Sequence, residues 1–132
     1  MSLALLEAYY AAFNAHDSAA MLALLADDVV HEPCQGKPRK GKAAFADFLA
    51  HMDHCYREQV IDPQLFPSAD GTRGAAEFLL EGEYLATDGD LPAASGQRYR
   101  LRVGTFFAFQ GGRITRVTNH YNLQDWIDQV SG

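Results

Sequence analysis

Residues 97–110 read Gln97-Arg98-Tyr99-Arg100-Leu101-Arg102-Val103-Gly104-Thr105-Phe106-Phe107-Ala108-Phe109-Gln110. From Arg98 to Val103 the arginines alternate with Tyr99, Leu101 and Val103, the period-two pattern of a strand with one wet face and one dry face. Upstream, residues 73–85 answer with the opposite charge. There Glu77, Glu81 and Glu83 alternate with Phe78, Leu80, Gly82 and Tyr84. Opposite charges on neighbouring antiparallel strands pair across the sheet. The charged sets are therefore expected to form a lattice on an outer face, and the apolar sets, with Thr105, to line an interior. Gly82 leaves space in the middle of that apolar face.

Working outward, residues 59–66, 73–85, 97–110 and 113–122 form four strand-like segments. Pro67-Ser68-Ala69-Asp70-Gly71, Asp88-Gly89-Asp90 and Gly111-Gly112 separate them, and the last is a hairpin signal. In the final segment Val117, Asn119 and Tyr121 share a face, placed inside, which turns His120 outward. A slip of one residue exchanges the two sets and makes His120 a competing base. Residues 123–130 form a short closing helix in which Trp126 closes the core.

The first half has helical period instead. Leu3, Leu6, Tyr9 or Tyr10, and Phe13 mark one helix over residues 2–14. Asp17 or Ser18 caps a second, with Met21, Leu22, Leu24 and Leu25 buried and Ala26-Asp27-Asp28 ending it. A short strand, residues 29–32, stops at Pro33. A polar loop leads to a third helix over residues 42–56, with Phe45, Phe48, Leu49 and Met52 as its buried stripe. Helices first and long strands afterwards predict an α+β fold: a curved, mainly antiparallel sheet wrapped by three N-terminal helices and a short C-terminal one, a cone enclosing one pocket. At 132 residues the chain is read as one domain, residues 1–132.

Composition narrows the class of function. A net charge of −6, with 48% hydrophobic residues, argues against nucleic-acid or anionic-membrane partners. The only basic run, Lys37, Arg39, Lys40 and Lys42, reads as a solvated loop. No apolar run spans a bilayer and the first residues lack signal-peptide features, so a cytoplasmic location is expected. Cys34 and Cys55 are read as free thiols with no Cys/His ligand spacing. His51 and His54 sit on a helix without a partner pair. No metal and no cofactor are expected.

Three stretches carry a family resemblance. Tyr9-Tyr10-Ala11-Ala12-Phe13-Asn14-Ala15-His16-Asp17 resembles the first helix and turn of ketosteroid isomerases. Ala26-Asp27-Asp28-Val29-Val30-His31-Glu32-Pro33 resembles their strand entry, and Phe107-Ala108-Phe109-Gln110-Gly111-Gly112-Arg113-Ile114 their last hairpin. The chain is also similar to SnoaL-like proteins through His31-Glu32-Pro33-Cys34-Gln35-Gly36, Tyr56-Arg57-Glu58 and Asn122-Leu123-Gln124-Asp125-Trp126. The resemblance implies the nuclear transport factor 2-like superfamily, a homodimer through the convex sheet face (helped by an exposed Phe106), and an apolar ligand.

It also implies site residues. Glu32 falls on the carboxylate base and Tyr9 on the oxyanion-donating tyrosine of an enzyme that moves a proton beside a carbonyl. Tyr10 competes with Tyr9 for the inward position. The third functional position falls at Thr105 or Gly104, neither of which replaces a buried protonated acid. Losing such a donor costs about 3–4 kcal/mol of barrier, so poor ketosteroid isomerase activity is expected. The expected pocket comprises Phe48, Met52, Phe78, Leu80, Tyr84, Val103, Thr105, Phe107, Asn119 and Tyr121. Two further readings stand beside the enzyme: a non-catalytic pocket for a small hydrophobic ligand, and a purely structural dimerisation module.

Overall fold

The computed structural model describes residues 2–131. Two helices, α1 (Ser2–Asn14) and α2 (Ser18–Ala23), precede strand β1 (Leu25–Glu32) and a two-residue strand β2 (Arg39–Lys40). Helix α3 (Lys42–Cys55) runs without a loop into β3 (Tyr56–Pro67), followed by β4 (Arg73–Tyr84), β5 (Arg98–Gln110), β6 (Arg113–His120) and α4 (Leu123–Ser131). The six strands form one open sheet in the order β2-β1-β6-β5-β4-β3. Every pairing is antiparallel except β1 with β6, which is parallel. The sheet is therefore mixed, within the α+β architecture that the change of period predicts.

Local chemistry accounts for the boundaries. Asp17 caps α2 by accepting from the Ala20 N–H at 3.0 Å, leaving Ser18 as the first helical residue. The side-chain amide of Asn14 donates to Val60 O at 3.0 Å and accepts from Val60 N at 2.8 Å, tying the end of α1 to β3. Register breaks between Ile61 and Gln64 and between Ala108 and Phe109 let the long strands bend. The helices cover the concave side: α1 packs on β3 and β4, α3 on β1 and β3, α4 on β5.

Three assignments differ from the sequence reading, and the first is that Arg39 and Lys40, read as part of a solvated loop, form β2 and pair with His31 and Val30 of β1. Leu25 belongs to β1 rather than to α2, and Ala26-Asp27-Asp28 continue the strand. Pairing with β6, where Leu25 lies opposite Ile114 and both are fully buried, outweighs the helical spacing. Strand β3 begins at Tyr56, three residues earlier than its turn signals suggest, because Tyr56, Arg57 and Glu58 pair with Tyr84, Glu83 and Gly82.

On the convex face the expected charge lattice is present. Arg100 pairs with Glu81, and Arg102 Nη1 lies 3.0 Å from Glu77 Oε2. Phe106, Phe66 and Ile61 are exposed apolar residues. Both cysteines are free. Among the described residues no helix is long and apolar enough to cross a membrane.

Candidate functional site

Between the concave sheet face and the helices lies a cavity of about 490 Å³. Its walls combine aromatic and aliphatic side chains with polar and titratable groups, the composition of a small-molecule site. Several of these polar groups are joined in three hydrogen-bonded sets, each positioned by strand parity or by a helix end.

The first set spans three strands. Glu58 on β3 lies opposite Gly82 on β4, and Gly82 lies opposite Tyr99 on β5. With no side chain at Gly82, the Tyr99 ring folds over the middle strand. A Cβ there would overlap the Tyr99 Cζ, hydroxyl oxygen and Cε2. The Tyr99 hydroxyl therefore reaches Glu58 and donates to Oε2 at 2.5 Å, the length of a bond to a charged acceptor. Glu58 is half-buried and faces the cavity. Desolvation raises its carboxyl to about 7, and the Tyr99 hydrogen bond only partly offsets that rise. Tyr99 is itself pushed up, first by burial and then by the Glu58 charge, so it stays protonated as a donor.

The second set is a short polar chain set in apolar surroundings. The Thr105 hydroxyl donates to Asn119 Oδ1 at 3.2 Å, and Asn119 Nδ2 lies 3.3 Å from His31 Nε2. With the amide donating, His31 carries its proton on Nδ1, which has no partner among the described residues. Phe45 and Phe48 pack on the imidazole with ring centroids at 4.6 and 4.4 Å. Burial first, and the Arg39 charge second, lower His31 to about 4. The ring is neutral at physiological pH.

The third set sits where α3 meets the loop after β4. Tyr56 Oη donates to Asp88 Oδ2 at 2.7 Å, and His51 Nε2 lies 2.8 Å from Asp88 Oδ1. The Asp88 N–H donates to the Tyr84 hydroxyl at 2.9 Å, which donates in turn to Pro92 O at 2.7 Å. Two tyrosines thus hold one aspartate.

Of the residues proposed from sequence, Tyr9, Phe48, Met52, Phe78, Leu80, Val103, Asn119 and Tyr121 line the cavity. The Tyr9 hydroxyl is raised by burial, and the Tyr121 hydroxyl is raised to about 12, also chiefly by burial. Tyr10 lines the cavity as well, edge-on to Tyr9. Three expected pocket residues lie behind the wall. Tyr84 is fully buried beneath the loop after β4, Thr105 supports Asn119, and Phe107 packs under Tyr9 at 5.3 Å. His120 is exposed beside Phe106 on the convex face.

The placement expected for Glu32 is corrected. Its side chain points away from the cavity, accepts from the Thr118 hydroxyl at 2.6 Å and lies 3.8 Å from Arg116. His31 points inward in its place. The reason is parity: His31 lies opposite inward Val117 and Glu32 opposite outward Thr118, after a register shift between Leu25 and Val30. The turn signals start β3 at Gln59, which leaves Glu58 outside it and gives its side chain no predicted face. Beginning at Tyr56, the alternation Tyr56, Glu58, Val60 places the carboxyl inside. His51 and Cys55, four apart on α3, share one face of the helix, a spacing that the sequence shows. Asp88, in a turn, had no sequence signal linking it to them.

The SnoaL-like domain family matches residues 6–117, and the chain belongs to that family. It is 54% identical to a protein from Pseudomonas putida KT2440 provisionally named a polyketide cyclase, with TM-score 0.94 over 96% of this chain and 95% of that one. A protein from Silicibacter sp. TM1040 with the same provisional name is 50% identical, with TM-score 0.97 over 99% and 96%. A Burkholderia xenovorans LB400 protein described as NTF2-like is 14% identical, with TM-score 0.77 over 98% and 95%, and shows the shared fold alone. No curated protein matches the chain.

Proposed function

Starting from membership in the SnoaL-like family, we propose that this chain is a small-molecule isomerase or cyclase that moves a proton beside the carbonyl of an apolar, cyclic substrate, with Glu58 as the base. The observation that carries the reading is the Glu58 carboxyl: inside the cavity, oriented by Tyr99 and held at about 7. A base with that value is half ionised at neutral pH, so it accepts a proton and gives it back with little penalty either way. The provisional names of the Pseudomonas and Silicibacter relatives point to the same class of chemistry.

In the proposed reaction the Glu58 carboxylate removes a proton from the carbon next to the carbonyl. The electron pair moves onto the carbonyl oxygen as an enolate. Tyr9 and Tyr121, whose hydroxyls have no hydrogen-bond partner among the described residues, donate to that oxygen. Raised by burial, both phenols remain protonated through the working range. In the isomerase branch the enolate collapses as Glu58 returns the proton to a second carbon. In the cyclase branch the enolate carbon attacks a second carbonyl carbon, the C=O π pair becomes an alkoxide, and that oxygen takes the proton from Glu58. No cofactor enters this sequence. The convex face, with Phe106 exposed, is proposed to pair with a second copy.

The test is turnover of a β,γ-unsaturated cyclic ketone, followed by absorbance of the conjugated product, in wild type and Glu58→Gln. Loss of about 10²–10⁴-fold in the variant supports the assignment. Turnover unaffected by Glu58→Gln sinks it. Binding of the ketone, read by Trp126 fluorescence, without turnover in either protein assigns the cavity to ligand binding alone.

A further inference from the structure

We propose that His51, Cys55 and Asp88 form a site for a divalent transition-metal ion of the zinc class, with one coordination position open to the cavity. The site uses none of the groups assigned to proton transfer, so it stands or falls independently of Glu58.

His51 and Cys55 lie one turn apart on the same face of α3, and Asp88 comes from the loop after β4. The three donor atoms lie within 4.8 Å of one another. A Cys-His-Asp proton relay is ruled out by how they meet. The thiol, 3.9 Å away, and the carboxylate, 2.8 Å away, approach the same nitrogen, Nε2. A relay needs one partner on each ring nitrogen. Convergence of three donors on one point is instead what a metal centre requires.

The donor set fits zinc. Thiolate, imidazole and carboxylate are its usual ligands, and the two anions neutralise a doubly charged ion. Tetrahedral bonding places N and O about 3.3 Å apart and N and S about 3.5 Å apart, from zinc–ligand lengths of about 2.0–2.3 Å. The observed 2.8 and 3.9 Å each require an adjustment of about half an ångström, as the ion replaces the His51–Asp88 contact.

An outer shell is already built. Asp88 offers Oδ1 to the site while Tyr56 holds Oδ2 at 2.7 Å, and its own N–H is anchored on Tyr84 at 2.9 Å. The Cys55 carbonyl accepts from Leu85 N at 2.7 Å and Ala86 N at 3.3 Å, clamping the start of the loop to the helix end. Such partners fix ligand orientation and raise affinity. Cys55 is buried, whereas His51 and Asp88 border the cavity, so the fourth position faces a bound molecule. An oxygen donor, a carbonyl or carboxylate of the ligand or a water, completes the coordination.

The experiment uses the full chain, treated with chelator and titrated with cobalt(II) alone. The expected result is one equivalent bound, with thiolate-to-metal charge transfer and the intense visible absorption of a four-coordinate ion, both displaced by zinc. Cys55→Ser abolishes the charge-transfer band. His51→Ala, at an exposed position that folding tolerates, weakens binding at least tenfold, and Tyr56→Phe weakens it by about 10–100-fold with the band retained. A folded wild type that shows no thiolate band overturns the proposal. So does a band whose affinity is unchanged in His51→Ala.

Discussion

Tyr99 donates its hydroxyl to Glu58 at 2.5 Å across an intervening strand, over the bare α-carbon of Gly82. Three residues in one row of the sheet thus act together: one carries the carboxyl, one holds it, and one is small enough to let the other two meet.

Removing the donor therefore changes the titration of the base. The hydrogen bond favours the ionised carboxylate and pulls Glu58 down against the rise caused by burial. In Tyr99→Phe the Glu58 midpoint moves above about 7. The alkaline-going limb of the rate profile moves with it. Carboxyl carbon chemical shifts across a pH series read the midpoint directly. An unchanged midpoint refutes the positioning role while leaving Glu58 as the base.

Gly82→Ala is expected to reproduce that shift without touching either partner. The new methyl occupies the volume of the Tyr99 ring tip, so the ring has to leave. Overpacking of this kind costs about 1–3 kcal/mol, measured by denaturant unfolding. If Tyr99 stays on Glu58 in the variant, the glycine has no such role.

Two buried groups bend the pH dependence of stability in opposite directions. His31, lowered to about 4, leaves the folded state binding fewer protons than the unfolded chain between about pH 4 and 6.5, so stability rises with pH there. Glu58, raised to about 7, does the reverse between about 4.5 and 7. The slopes oppose each other where the windows overlap. In Glu58→Gln the histidine slope stands alone, and stability climbs by about 3 kcal/mol, the linkage value of His31's depression, from pH 4 to 6.5. A flat profile in that variant would falsify the buried neutral imidazole.

Glu32→Gln is expected to leave turnover within about twofold of wild type and stability within about 1 kcal/mol, as for an exposed polar contact. Its carboxylate meets only Thr118 and Arg116 on the far side of β1. A large loss of turnover would return the base to Glu32, against the observed parity.

How much could be read in advance varies along the chain. On β4 Glu77, Glu81 and Glu83, and on β5 Arg98, Arg100 and Arg102, mark one face, so the faces of both strands are legible in the sequence, and with them the apolar wall of Phe78, Leu80, Leu101 and Val103. On β1 the sequence marks only residues 29–32 as strand, too few to set parity against the resemblance that turns Glu32 inward; the strand spans Leu25–Glu32 and turns His31 inward instead. Glu58 lies at a helix-to-strand junction where neither period is established.

By itself the sequence determined the order of the helices and long strands, the α+β class, the turns between the long strands and the two faces of the central strands. Those depend on local propensity and on repeating contrast between neighbouring residues. Only the tertiary structure decided the chemistry of the cavity. Whether Glu58 meets Tyr99, whether His31 rather than Glu32 turns inward, and whether Asp88 reaches His51 and Cys55 are settled by strand register and loop closure between distant segments. A single register shift reverses a strand's faces, and no local pattern encodes it.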